Sequence, residues 1–306
     1  MRIFVTGATG FVGSVIVREL IGGGHKVLGL ARSDAGAASL ASAGADVHRG
    51  SLDDLDSLRK GTAAVDAVIH AGFNHDFSNY AAAAETDRLA IETLGVALAG
   101  SERPFIVTSG TALVNPGSIA TEEDAADSTF PRKSEQASAS AVARGARVSV
   151  LRLPPSVHGD GDHGFIPLLI RIAREKGVSA YVEEGRNRWP AVHRLDAARL
   201  YRLVLESRQA APRYHAVADQ AVPFREIAQV IGRRLNVPVV SKSREEAADH
   251  FGWFAHFAGL DCPASSAQTQ EQLGWRPTQP SLISDIDQQS YFELSQKTFD
   301  QQGATK

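Results

Sequence analysis

Three observations predict a doubly wound α/β fold, a parallel sheet covered by helices on both faces, with a smaller C-terminal lobe. Short, almost continuously apolar runs recur through the first half of the 306-residue chain. Helix-length amphipathic segments separate them. A glycine-rich turn, Gly7-Ala8-Thr9-Gly10-Phe11-Val12-Gly13, joins the first run to the first helix. Strand and helix alternating five times lead to parallel pairing, because a right-handed crossover returns each strand beside its predecessors.

The expected strands are Arg2–Thr6, Lys26–Ala31, Asp66–Ala71, Pro104–Thr108 and Arg147–Leu151. Their apolar residues do not alternate with polar ones, as befits strands buried on both faces. Helices are expected at 11–22, 52–60, about 79–99 and about 131–144, with Pro131 suited to the first turn of the last. Gly22-Gly23-Gly24 stops the first helix. After residue 152 the rhythm changes. RLPPSVHGDGDHG is dense in Pro, Gly, Asp and His and reads as a loop, followed by a helix from Phe165 to Lys176. WPAVHRLDAARLYRLVLES reads as a strand feeding a helix that rejoins the first sheet. Helices near 223–235 and 244–257 complete the smaller lobe, and the tail from Gln296 is polar and expected to fray. The division is therefore 1–155 plus about 190–218 for the sheet domain, and about 156–189 plus 219–306 for the lobe.

Composition narrows the function. Hydrophobic residues at 43% and charged residues at 22% describe an ordinary globular chain. A net charge of −3 gives no electrostatic footprint for nucleic acid or an anionic membrane. The single cysteine, Cys262, makes neither an internal disulfide nor a thiolate cluster, which suits a reducing compartment. No apolar run reaches the roughly 18 residues of a membrane span. The expectation is a cytoplasmic monomer or homodimer acting on a small molecule, without nucleic-acid or membrane partners.

The glycine turn carries a specific demand. A pyrophosphate approaches the free amides at a helix N-terminus, where the helix dipole favours an anion. Side chains at Gly7 or Gly10 would block that approach, and Gly13 lets the helix pack on the strand. With Thr9, Phe11 and Val12 these glycines form the expected seat of a dinucleotide. The second strand ends Ala31-Arg32-Ser33. Ala31 stands where an acidic residue would bind the ribose of NAD, whereas Arg32 and Ser33 offer a guanidinium and a hydroxyl to the 2′-phosphate of NADP(H). NADP(H) is the expected cofactor, preferred over NAD(H).

TGATGFVGS, DAVIHA, RVSVLRLPPSVHG, AVHRLDAARLY and LGWRPT together resemble the extended short-chain dehydrogenase/reductase family, over roughly residues 1 to 280. The resemblance implies a Rossmann nucleotide-binding domain and a C-terminal substrate lobe. It implies that Leu52 and Asp53 lie beside the adenine, Ala71 and Gly72 along the cofactor's middle, and Pro154, Ser156 and Val157 beside the nicotinamide. Thr108, closing the Pro104–Thr108 strand, is assigned to the same site. The family's chemistry uses Tyr-x-x-x-Lys and a serine after the fifth strand. Here the motif fails. Matching Glu135 to the family's glutamate puts Asp127 and Pro131 at the tyrosine and lysine positions, and matching Lys133 instead puts Thr129 at the tyrosine. The chain is thus expected to be an atypical member.

The loop after the Asp66–Ala71 run, Ala71-Gly72-Phe73-Asn74-His75-Asp76, starts at the carboxyl end of the sheet, where ligands sit in such folds. His75 is the side chain there suited to exchange a proton near neutral pH, with Asp76 to orient it; a surface loop histidine is the alternative. Ser109 and Thr111 are expected to hold a substrate oxygen, or else to satisfy backbone groups. His158-Gly-Asp160-Gly-Asp162-His163 reads as a substrate-facing loop rather than a metal site. His70, inside an apolar strand, reads as a core histidine. The leading expectation is an NADP(H)-dependent oxidoreductase of a small carbonyl or alcohol without the usual tyrosine. The alternatives are a non-catalytic NADP(H) sensor or scaffold and a sugar-nucleotide epimerase or dehydratase.

Overall fold

The computed structural model describes residues 1–75, 79–114, 117–207 and 211–293. The chain runs β1 (Arg2–Thr6), α1 (Phe11–Gly22), β2 (Lys26–Ala31), α2 (Asp34–Ser42), β3 (Asp46–Arg49), α3 (Leu55–Ala63), β4 (Ala67–His70), α4 (Tyr80–Leu98), β5 (Pro104–Gly110), α5 (Ser134–Ala143) and β6 (Arg147–Leu153). Then follow β7 (Ser156–His158), α6 (Phe165–Lys176), β8 (Ser179–Val182), β9 (Arg188–His193), α7 (Arg194–Glu206) and β10 (Arg213–His215). The last stretch holds β11 (Asp219–Pro223), α8 (Phe224–Leu235), β12 (Val239–Lys242), α9 (Arg244–Phe251), α10 (Ala255–Ala258), α11 (Ala267–Leu273) and α12 (Leu282–Ile286).

Seven parallel strands form the main sheet in the order β10-β6-β5-β4-β1-β2-β3. Alternate residues of β1 face opposite layers, as the pleat requires. Ile3 and Val5 join the core under α1 and α7, while Phe4 joins the core under α3, α4 and α5. The expected five strands are all present, and two more join them. β3 reads DVHR, has no fully buried residue and lies at the sheet edge, so it lacks an apolar signature. β10 is only three residues long.

Several boundaries differ from expectation for local reasons. The helix expected at 52–60 begins at Leu55, because the Asp54 carboxylate accepts from the Ser57 amide and caps it there. α5 begins at Ser134, with Lys133 at its cap, so Pro131 lies outside the helix rather than in its first turn. α2 was not anticipated; its Ala-rich sequence has no clear apolar stripe, and Ser33 starts it by accepting from Gly36. The helix expected at 244–257 breaks at Gly252, whose φ of +57° ends α9. β9 pairs with β7 and β11 in a separate three-stranded sheet, and only α7 after it returns to the main sheet, packing on α1.

A second core gathers α6, β8, α8 and α9 around Trp189, Phe224 and Phe254. The segment after α11 is tied to α7 by Trp275, which joins the first core, and by polar contacts. Trp275 Nε1 donates to the Asp196 carbonyl, and the Asp196 carboxylate accepts from the Thr278 and Gln279 amides. Among the described residues no helix is long and apolar enough to cross a membrane.

Candidate functional site

The strand order fixes where the crevice lies. From β1 the chain steps to β2 and β3 on one side, then returns to β4 on the other, so the loops after β1 and β4 diverge at a topological switch point. The glycine turn is built for close approach. Gly7 has φ +66°, and a Cβ there would sit 2.6 Å from the Ala71 carbonyl and from Gly72. A Cβ on Gly13 would fall 1.9 Å from the Gly7 carbonyl. Gly10 is the N-cap of α1 and offers no side-chain acceptor, so the amides of Phe11, Val12 and Gly13 keep their donors for an outside anion. Thr9 lies against Gly36 at the start of α2.

At the end of β2, Ala31 is buried and Arg32 and Ser33 are exposed. Arg32 makes no hydrogen bond or ion pair with any described residue. Its charge helps hold the Asp53 carboxyl below the ordinary value, after the Ser51 hydroxyl and the Asp53 amide. Arg49 is spent on the Ser33 carbonyl and the Asp34 carboxylate. The Ser33 oxygen accepts from Gly36, which leaves its own proton to donate. Leu52 packs over Gly72.

Behind the loop after β4 runs a buried polar chain. Thr6 Oγ1 lies 2.8 Å from His70 Nδ1 and accepts from the Gly72 amide. His70 Nε2 lies 3.2 Å from Asp87 Oδ1, and Ser134 Oγ donates to Asp87 Oδ2 at 2.5 Å. His70 is therefore a satisfied core histidine, as its strand suggested. Burial opposes ionisation of Asp87, but Arg132, His70 and Ser134 outweigh it and hold the carboxyl below its usual range.

Arg132 closes this chain at the crevice. Its Nε donates to Ser134 Oγ at 2.8 Å, its Nη2 donates to the Thr108 carbonyl at 3.0 Å, and Asp87 lies 3.5 Å away. Its guanidinium carbon stands 4.2 Å over the Phe73 ring. Phe73 also meets the rings of His75, at 5.2 Å, and Tyr80, at 5.9 Å. His75 is exposed, yet crowding on one side and then the charges of Arg132 and His163 push its pKa below the ordinary value. Tyr80 is pushed up by burial, with Arg132 opposing. Asp76, expected to orient His75, lies outside the described residues.

Ser109 and Thr111 lie at the carboxyl end of β5. Ser109 is buried within β5 and donates to Glu135 Oε1 at 3.0 Å. Thr111 is fully buried. Burial weighs against either hydroxyl as a contact for a substrate in the crevice. Glu135 takes a two-pronged bond from the fully buried Arg152, whose Nη1 faces His215 at 3.1 Å. Burial first, with Arg152 adding to it and Glu122 opposing, brings His215 down to about 4. Thr108 Oγ1 pairs with Tyr201 at 2.7 Å. Pro154 and Ser156 are buried beside β6, and Val157 is half-buried.

The HGDGDHG loop turns its groups in different directions. His158 Nδ1 meets Asp285 at 2.7 Å, and Asp162 accepts from the Tyr291 hydroxyl at 2.6 Å. His163 sits edge-on to Phe11, 5.5 Å away, and Arg194 covers the same ring at 4.7 Å. Arg132 and Asp87 were not singled out by the sequence, whereas His163 was read as part of a substrate-facing loop. For Arg132 a signal was present: it is the cation nearest the position where a lysine was sought.

The sequence model of the family described as "NAD dependent epimerase/dehydratase family" matches residues 3–218. The chain is 50% identical over 295 residues to "Uncharacterized protein C2A9.02" of Schizosaccharomyces pombe, covering 95% of this chain and 100% of that one. It is 46% identical to "Uncharacterized protein YLL056C" of Saccharomyces cerevisiae, covering 94% and 98%. A "2-alkyl-3-oxoalkanoate reductase" of Stenotrophomonas maltophilia is 26% identical, covering 79% and 78%. Among solved structures, a dTDP-glucose 4,6-dehydratase, DesIV, from Streptomyces venezuelae with NAD and TYD bound superposes with a TM-score of 0.77 at 22% identity, covering 98% of each chain.

Proposed function

Since the chain belongs to the NAD dependent epimerase/dehydratase family, we propose that it is an NADP(H)-dependent oxidoreductase of a small carbonyl or alcohol substrate, with His75 in place of the usual tyrosine. The observation that carries this reading is the uncapped N-terminus of α1, with an unpaired arginine at the end of β2 on one side and an ionisable cluster on the other. The donor set fits such a cofactor. The first-turn amides of α1 would take the pyrophosphate, and Arg32, the Ser33 hydroxyl and the start of α2 would take the 2′-phosphate. Leu52 and Asp53 would border the adenine, with Ala71, Gly72, Pro154, Ser156 and Val157 along the rest. Bound there, the nicotinamide would supply or accept hydride.

The chain's own part is the proton. His75 sits at the crevice mouth on a loop beginning at Gly72, beside a guanidinium and a second imidazole that lower its pKa. An imidazolium made more acidic by its neighbours gives up its proton more readily to a developing alkoxide. Similarity to an oxoalkanoate reductase supports reduction of a ketone. The solved dehydratase was determined with NAD, but Ala31 offers no carboxylate to a ribose, and the NADP(H) preference rests on Arg32 and Ser33. The test is nucleotide titration by fluorescence, followed by NADPH consumption with a panel of ketones and aldehydes. Tight NADPH binding with no turnover of any member would leave a nucleotide sensor as the better description.

A further inference from the structure

We propose that Arg132 holds the oxygen of the substrate's reacting carbonyl, with Asp87 as its positioning residue. The proposal rests on the carbonyl-reductase reading and deepens it.

The argument starts from which donors are spent. Nε of Arg132 is taken by Ser134, and Nη2 by the Thr108 carbonyl. Nη1 donates to no described residue, and 14% of the side chain remains open. Both Nη1 protons and the second Nη2 proton therefore have no acceptor among the described residues, beside the Phe73 ring and close enough to His75 to lower its pKa. A free guanidinium edge grips a carboxylate or phosphate through two parallel N–H bonds. The protons left on Nη1 and Nη2 can meet such a group or an uncharged oxygen, and the charge decides between them. Asp87, fully buried and 3.5 Å away, already balances Arg132, so the pair asks for no anion from a ligand. The chemical class that fits is a compound presenting an un-ionised carbonyl oxygen.

Placement of the pair is rigid. Asp87 is fixed by Ser134 and His70, His70 by Thr6, and Thr6 by the Gly72 amide, which ties the guanidinium to the strand that carries the glycine turn. In reduction, the carbonyl carbon gains the hydride released as the dihydronicotinamide is oxidised, and the C=O electron pair moves to oxygen. The Nη1 protons meet the negative charge as it develops. The oxygen then takes the proton of imidazolium His75, leaving an alcohol and a neutral imidazole.

The test compares wild type with the double variant Arg132→Gln/Asp87→Asn, which removes both charges together and avoids a lone buried carboxylate. Circular dichroism and unchanged NADPH affinity verify that the seat is intact. Isobutyramide, an unreactive carbonyl acceptor, is titrated into each protein with NADPH bound. The double variant should bind it about ten-fold more weakly, as expected for losing a charged hydrogen bond. With an active ketone, kcat should fall about a hundred-fold and KM change less. Arg132→Lys, which keeps a cation beside Asp87, should recover part of that loss. In the nucleotide-free protein, the His75 imidazole followed by NMR should titrate at higher pH in the double variant, because of the two charges removed Arg132, which lowers its pKa, acts more strongly than Asp87, which raises it. Equal isobutyramide affinity in both proteins, or none in wild type, overturns the proposal. If wild type reduces no carbonyl, yet the amide binds and the double variant loses it, Arg132 stands as the oxygen holder and the reductase reading alone falls.

Discussion

Arg32 and His75 carry the sharpest expectations at the level of single side chains. Arg32 makes no hydrogen bond or ion pair with any described residue, so removing it should leave the fold intact and act chiefly on an incoming phosphate. Arg32→Ala should weaken NADPH by about 1.5–3 kcal/mol, roughly ten- to a hundred-fold, as for a charged hydrogen bond, and leave NADH nearly unchanged in the same fluorescence titration. Equal NADPH and NADH affinities in wild type would refute the assignment. For His75 the sequence alone suggests titration near the ordinary value of about 6.5. Its surroundings move that expectation. Crowding, Arg132 and His163 all disfavour the imidazolium, so the protonated donor is lost as pH rises through a value below 6.5. The rate of reduction should therefore climb toward acid and level off only below that point. His75→Ala should abolish this limb and cost about a hundred-fold in kcat, with NADPH binding retained. Wild-type turnover by His75→Ala would show that the proton comes from elsewhere.

Among the elements, α5 shows what was legible and what was not. Its existence followed from a run of good helix formers, and the continuous apolar character of β1, β2, β4, β5 and β6 made the parallel sheet readable in advance. Its start was misplaced, because Pro131 is a common first-turn residue, and nothing local reveals that 131–133 are instead used to bring Arg132 to Thr108 and Asp87. α2 and β3 escaped notice because neither buries a periodic apolar face. The tight turn at Gly7 and Gly13 was legible down to single residues, since its requirements are steric and local. The Ser109–Glu135 bond was not legible, because the two residues are 26 positions apart. Its acceptor gives a prediction of its own. Glu135 pairs α5 with a fully buried guanidinium on β6, and Glu135→Ala would strand that charge beside a neutral His215. Denaturant unfolding should show a loss of about 3–5 kcal/mol. A loss below about 1 kcal/mol would mean that Arg152 finds another acceptor.

Across the whole molecule, the last described turn reaches back to the crevice. Tyr291 donates to Asp162 and accepts from the Gly159 amide, joining residues 129 positions apart. Burial raises the Asp162 carboxyl above its usual value, and the Tyr291 hydroxyl works against that rise. A carboxyl raised in the folded state contributes most at low pH and loses that contribution as pH rises through the folded value. Tyr291→Phe removes a donor to the ionised form, so the deficit relative to wild type should be small in acid and widen toward neutral pH, read as melting temperature against pH. A deficit independent of pH would show that Asp162 is not the group affected. This bond also bears on descent. Each residue is worth less alone, since a phenylalanine at 291 leaves the Asp162 carboxylate with the Gly164 amide and an alanine at 162 takes away the acceptor of the phenol. As lineages diverge, the two positions should be exchanged together or kept together, so that a region remote in the gene changes in step with the mouth of the crevice.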